Sequence, residues 1–266
     1  MQCDEARLIF FSPTKSTLRI AEAVAAGMGC GNVSRVDLTF PEGAGEPEAD
    51  GGVAVIGVPV YAGRVPGIAA ERLRARVRGG GRPAVLVAVY GNRAFEDTLI
   101  ELRDLAVELG FKPVAAGAFI GEHSFSSAAL PVAPGRPDDA DLQKARDFGA
   151  QVAAKLAGMA SAADAPELAV PGNVPYRDGC APNGLAPATK ADLCTLCGEC
   201  ARLCPVQVIR VTETAVETDG DGCIRCSACI RACPTQARVW DAPRIHEINV
   251  FLNANHGARK EPETFL

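Results

Sequence analysis

Cys194-Thr195-Leu196-Cys197-Gly198-Glu199-Cys200-Ala201-Arg202-Leu203-Cys204-Pro205 holds four cysteines closed by a proline. Cys223-Ile224-Arg225-Cys226-Ser227-Ala228-Cys229-Ile230-Arg231-Ala232-Cys233-Pro234 repeats it. Each run reads C-x2-C-x2-C-x3-C-P, the spacing by which bacterial ferredoxins hold 4Fe–4S clusters. Three close thiolates cap one face of a cubic cluster and the fourth ligand comes from the far side, so each run lends its last cysteine to the other cluster. This assigns Cys194, Cys197, Cys200 and Cys233 to one cluster, and Cys223, Cys226, Cys229 and Cys204 to the second. Zinc also accepts four thiolates, but its usual pattern is two C-x2-C pairs separated by a longer spacer. The spacing therefore predicts a small α+β dicluster ferredoxin-like domain over residues 190–240.

Outward from these runs the chain changes character. Its 266 residues favour two domains, and a hydrophobic fraction of 48% suffices for a substantial core. The balance of 27 basic against 32 acidic residues lacks the basic excess of a nucleic-acid binder. No stretch approaches the ~18 unbroken apolar residues of a membrane span, and the start shows no leader pattern. Eleven cysteines, eight of them metal ligands, fit a reducing compartment, and the expected place is the cytoplasm. Cys3 and Cys30 read as packing residues, and Cys180 has no assigned role.

Residues 1–158 alternate strand and helix. Apolar runs at 7–11, 33–38, 53–58, 84–89 and 113–120 read as five strands. The helices between them include one from about Leu18 to Met28, a basic one before Gly79-Gly80-Gly81, one from Phe95 to Leu109 and one from Asp138 to Leu156. Continuous apolar strands are expected of a parallel sheet covered on both faces. The order fits a flavodoxin-like, doubly wound five-stranded sheet, whose ligands bind beyond the carboxyl ends of the strands. Segments 12–17, 59–64, 90–97 and 121–126 should meet there. Residues 159–189 are a linker rich in Ala, Pro and Gly, either flexible or packed as a strap. Residues 241–266 read as a C-terminal helix, from Ile245 towards Asn253, and a tail.

The first loop supplies the hydroxyls of Ser12, Thr14, Ser16 and Thr17, together with Lys15, at the amide end of a helix. Such a loop suits a phosphate monoester, although a helix cap alone needs one hydroxyl. A Walker loop is a poor match, because the preceding glycines are missing. Pro59-Val60-Tyr61-Ala62-Gly63-Arg64 and Tyr90-Gly91-Asn92-Arg93 each set a tyrosine close to a glycine at a strand end. A flat isoalloxazine ring needs such partners and close backbone approach. Two of the chain's three tyrosines are spent here.

With Phe11-Ser12-Pro13-Thr14, the two tyrosine loops, Gly121-Glu122-His123-Ser124 and both cysteine runs, the chain resembles the flavodoxin–ferredoxin fusion proteins of anaerobic bacteria. The resemblance covers nearly the whole sequence and implies FMN in the first domain and two 4Fe–4S clusters in the second. Lys15 departs from it, standing where such loops commonly have glycine; it either neutralises the phosphate or points into solvent. His123 is open to contact with flavin or substrate, or to a structural role. Arg72, Arg74, Arg76, Arg78 and Arg82 form either a solvated helix face or a docking patch for an acidic partner or for the cluster module.

Clusters exchange one electron at a time and a flavin one or two, so the expected function is electron transfer between one-electron carriers and a redox partner, protein or small molecule. Two alternatives stay open: an oxidoreductase in which FMN reduces a small organic substrate, and a cluster-based redox sensor. No G-x-G-x-x-G follows a strand, so direct use of a nicotinamide nucleotide is not expected.

Overall fold

The five apolar runs form parallel strands whose carboxyl ends share one edge. The computed structural model describes residues 4–41, 52–179 and 181–266. In chain order the first unit comprises β1 (Glu5–Phe10), α1 (Ser16–Met28), β2 (Asn32–Asp37), β3 (Val53–Pro59), α2 (Gly67–Arg76), β4 (Pro83–Tyr90), α3 (Thr98–Glu108), β5 (Lys112–Ile120) and α4 (Asp139–Ala157). The parallel order β2-β1-β3-β4-β5 reverses between β1 and β3, which is the flavodoxin-like arrangement. Every residue of β3 and β4 is buried. Alternate side chains enter two cores. Ile56, Leu86 and Ala88 pack with Leu73 of α2 and Leu99 and Leu102 of α3. Val55, Val85 and Val87 pack with Ile20 and Val24 of α1 and Phe148 and Val152 of α4. Each such aliphatic side chain removed from water contributes about 1.5–3 kcal/mol.

Helices α1 and α4 approach backbone to backbone. A Cβ on Gly27 would strike the backbone of Arg146, and one on Gly149 would strike the Val24 carbonyl. Asp138 caps α4 reciprocally with Asp141 in a capping box. Cys30 packs on this side of the sheet. Cys3 and Cys180 lie outside the described residues.

The remaining elements are β6 (Ala188–Thr189), α5 (Glu199–Arg202), β7 (Ile209–Val211), β8 (Val216–Thr218), α6 (Ala228–Arg231), β9 (Arg238–Val239), α7 (Pro243–His256) and β10 (Glu263–Phe265). β6 pairs antiparallel with β9, and β7 with β8. The two cysteine runs share a backbone design. Leu196, Gly198 and Gln207 have positive φ, and so do Arg225, Ser227 and Gln236, at the offset that separates Cys223 from Cys194. Among the described residues no helix is long and apolar enough to cross a membrane.

Two features extend the sequence reading. The tail is no appendage, because β10 adds to β5 as an antiparallel sixth strand. Residues 159–177 form a packed strap, not a free tether. Ala162, Ala165 and Leu168 are buried. Asp97 accepts from the Asn173 and Arg177 amides at 2.9 and 2.7 Å, and Tyr176 donates to Asp104 at 2.5 Å.

Candidate functional site

The cysteines fall into two groups. Cys194, Cys197, Cys200 and Cys233 line one small cavity with Val216, Thr235 and Arg238. Cys204 lies with the other run. Burial pushes the Cys226 thiol up to about 12, aided by the charges of Cys229, Cys223 and Cys204. Burial likewise raises Cys229, opposed by the charge and hydrogen bond of Arg238 and aided by the charges of Cys223 and Cys204. Each group thus draws three cysteines from one run and the last from the other. Among the described residues no three of His, Cys, Asp and Glu converge on a point that would hold a single metal ion. Three cysteines of one run with the last of the other is the donor set that a 4Fe–4S cluster uses.

A second cavity, of about 330 Å³, lies at the carboxyl edge of the sheet, within the usual size range of cofactor sites. Val60, Tyr61, Gly63, Gly91, Arg93 and His123 line one side. Ile224 and Arg225, between Cys223 and Cys226, and Ile248, Phe251 and Leu252 of α7 line the rest of it. Tyr61-Ala62-Gly63-Arg64 is a tight turn with two left-handed central residues, joined by Tyr61–Arg64 backbone hydrogen bonds of 3.1 Å. Pro59, the buried last residue of β3, delivers the chain to this turn. Burial, then the charges of Cys226 and Cys223, holds the Tyr61 phenol well above its ordinary value, so it stays neutral. Gly91 is required, because a Cβ there would collide with the His123 ring. His123 Nδ1 accepts from the Phe125 amide at 3.0 Å, which leaves Nε2 as the protonated nitrogen of the neutral ring. Burial, reinforced by Arg93, Arg231 and His256, lowers its pKa to about 4.

Three of the four expected segments line this cavity; residues 12–17 do not, although Ser16 lies near the end of β5. A Cβ on Gly121 would sit 3.5 Å from the Ser16 side chain. Within that first loop Ser12 and Thr17 turn inward. Ser12 is buried, its Oγ accepting from the Leu18 amide at 3.1 Å, and Thr17 is buried over Gly57. Thr14 and Ser16, 3.4 Å apart at their hydroxyls, are half-buried and Lys15 is exposed; none of the three lines the cavity.

Two residues of the second tyrosine loop go elsewhere. Tyr90 is still within β4, and the alternation of the strand sends its ring into the core, edge-on to Phe95 at 5.6 Å. It therefore does not stack in the cavity. Asn92 is buried and ties down the end of α7, its Nδ2 donating to the carbonyls of His256 and Ala258 at 2.6 and 2.8 Å. Its Oδ1 is buried without a partner. Arg93 lines the cavity and forms a two-bond ion pair with Glu96, at 2.9 and 2.7 Å. Sequence reasoning placed Phe125 at this edge only as part of segment 121–126, and it missed Ile224, Arg225 and the α7 residues. The i, i+3, i+4 spacing of Ile248, Phe251 and Leu252 was the available signal.

The two cofactor regions are fastened together. Ser227, beside Cys226, donates to the Ser124 carbonyl at 2.6 Å and accepts from Trp240 Nε1 at 2.9 Å. Phe125 meets Trp240 edge-on at 5.2 Å, and Arg231 pairs with Glu122 at 3.0 Å. Arg72 donates to the carbonyl of Pro205, next to Cys204, at 2.8 Å and to those of Leu38 and Thr39. Arg74 pairs with Glu108, and Arg76, Arg78 and Arg82 bond nearby carbonyls. Of the arginine group, Arg72 docks the cluster module, and the other four hold their own domain.

Residues 186–238 match the model of the 4Fe-4S dicluster domain. No curated protein matches the chain. Among solved structures it is similar to a flavodoxin from the domain Archaea, at 18% identity over 57% of this chain and 99% of that one, with a TM-score of 0.41. It is similar to the two-electron reduced flavodoxin of Megasphaera elsdenii at 16% identity, over 56% and 98%, with a TM-score of 0.41. The rubredoxin oxygen:oxidoreductase of Desulfovibrio gigas aligns at 15% identity over 59% of this chain and 37% of that one, with a TM-score of 0.42. The strand order identifies the sheet independently of these distant likenesses. The chain joins a flavodoxin-like α/β sheet to a segment that matches the dicluster 4Fe–4S ferredoxin domain.

Proposed function

We propose that this protein transfers electrons between two 4Fe–4S clusters and an FMN, and through them between one-electron carriers and an external redox partner. Cys194, Cys197, Cys200 and Cys233 hold one cluster in this reading; Cys223, Cys226, Cys229 and Cys204 hold the other. Thr14, Lys15, Ser16 and the amide end of α1 receive the FMN phosphate. Tyr61, Gly63, Gly91 and Arg93 border the ring, and neutral His123 offers it an Nε2–H donor. When bound, the flavin supplies one- or two-electron chemistry that the clusters lack.

One observation carries the reading: the cavity of the sheet loops is walled by Ile224 and Arg225, which lie between two cluster cysteines. An electron entering the second cluster then stands one side-chain layer from the flavin. The cluster-run residues in the cavity wall favour exchange with the clusters as the first reading, ahead of direct reduction of an organic substrate. Eight ligand thiols must stay reduced until they are loaded, so the proposed setting is a reducing, anaerobic cytoplasm. Residues 1–158 and 190–240 are the proposed cofactor domains, with 159–189 a strap between them.

The test is anaerobic purification with iron, sulfide and flavin content, followed by stopped-flow reduction of the loaded protein. Flavin and cluster absorbance should equilibrate at a rate independent of protein concentration. A rate proportional to concentration, or a chain that holds only one of the two cofactor types, would overturn the proposal.

A further inference from the structure

Arg238 lies on β9 between the two cysteine groups and is only 2% exposed. Its guanidinium donates to Thr189 Oγ1 at 2.6 Å and Thr218 Oγ1 at 2.9 Å. One terminal nitrogen is also 3.9 Å from Cys229 Sγ, in the group that contains Cys204. The same side chain lines the cavity of Cys194, Cys197, Cys200 and Cys233. Its Nε–H is buried with no partner. Among the described residues no carboxylate pairs with it, and both hydroxyl partners are neutral.

A cation withdrawn from water costs several kcal/mol unless an opposite charge or full hydrogen bonding compensates it. Two threonines supply hydrogen bonds but no charge, and the Nε–H is left without an acceptor. The missing anion is what two clusters with four thiolates each would provide. An unpartnered N–H is in turn a donor for a cluster sulfur, and hydrogen bonds to sulfur are among the features that set cluster potentials.

We propose that Arg238 is the shared counter-charge of the two clusters and raises the reduction potential of both. The inference rests on the cluster assignment above. Reduction adds one electron to a cluster, breaks no bond, and increases the negative charge facing the guanidinium. A fixed cation at that place therefore favours the reduced form, and its shared position offsets the repulsion between two reduced clusters. The cluster of Cys204, Cys223, Cys226 and Cys229 has the direct sulfur contact and should respond more.

The experiment is an anaerobic redox titration of full-length holoprotein, with EPR following each cluster and dithionite as reductant. Arg238→Gln should lower both midpoint potentials, the Cys229 cluster by at least a tenfold change in its reduced-to-oxidised ratio at fixed poise, which is 59 mV for one electron. Arg238→Lys, which keeps the charge, should recover most of that shift. Iron and sulfide content establishes that both clusters are present. Unchanged potentials in an Arg238→Gln protein with full clusters would overturn the inference and leave Arg238 a staple between Thr189 and Thr218. A shift in Arg238→Lys as large as in the glutamine variant would also overturn it. If Arg238→Gln does not assemble, Thr218→Val decides. It frees the guanidinium from one neutral acceptor while keeping the charge, so the potentials should stay or rise, and a fall refutes the proposal. Wild-type protein with fewer than two clusters would instead defeat the underlying assignment.

Discussion

Lys15 has φ 66, the left-handed region that favours glycine, immediately before α1. A non-glycine residue there costs about 1–2 kcal/mol, which gives a physical reason why glycine is common at this point of such loops. Retaining lysine against that cost is the motive for giving its charge a task. Lys15→Gly should change folding stability by less than about 1 kcal/mol, since relief of strain and added unfolded-state freedom oppose each other. If its ammonium meets the phosphate, the same substitution should weaken FMN ten- to a hundredfold, from a charge-assisted bond of about 1.5–3 kcal/mol. Riboflavin affinity, measured by fluorescence quenching, should not move; equal losses for both ligands would refute the contact. Cys204→Ser is expected to damage the cluster of Cys223, Cys226 and Cys229, and loss of signal confined to the Cys194 cluster would reverse the assignment. His123 gives a pH prediction. Its folded pKa of about 4 lies below the unfolded 6.5, so the unfolded chain binds the proton first as pH falls. That contribution to stability is intact above pH 6.5 and declines towards pH 4. His123→Gln should flatten this part of the acid limb of a denaturation series. At this scale the cysteines were legible because their chemistry is written in spacing. The two tyrosines looked alike in sequence, yet one residue of strand length decides that Tyr61 faces a cavity and Tyr90 a core. Arg238 carries no local signal, because its partners lie on β6, β8 and α6.

The sheet and its helices were readable because fully buried parallel strands are unbroken apolar runs, and α1, α3 and α4 repeat at helical period. Boundaries moved by only a few residues. The helix of the tail was readable as well, but its destination was not, since the Asn92 and Lys260 contacts that hold its end span more than 160 residues of chain. Leu252 of α7 is buried and lines the cavity. Leu252→Ala should cost about 2–5 kcal/mol in the local packing of α7. Because β1–β5 do not depend on this helix, the sheet core should persist while bound flavin becomes more accessible to iodide quenching. Unaltered quenching with full FMN occupancy would show that α7 is not the lid.

At the scale of the whole molecule, the strap fixes the two modules by contacts and not by tether length alone. A flexible linker of this length would hold its ends on the order of 30 Å apart and set only an effective concentration. Instead the strap is bonded to Asp97 and Asp104, and Arg72, Glu122 and Ser124 hold the cluster module directly. Cleavage near Ser161 should therefore leave two fragments that co-elute at micromolar concentration and keep the intact rate of electron exchange. Separation on a sizing column would show that the covalent link, not the interface, holds the cofactors together.

The pairing of β10 with β5 has a further consequence for biosynthesis. Seen from the ribosome, the cysteine module is an insertion between two neighbouring strands of one sheet. Both cysteine runs leave the exit tunnel before residues 263–265, so the edge of β5 stays open while the cluster loops are already exposed. The last strand of the sheet can therefore pair only after both cysteine runs have been synthesised, so completion of this sheet edge follows the cysteine module in the order of the chain.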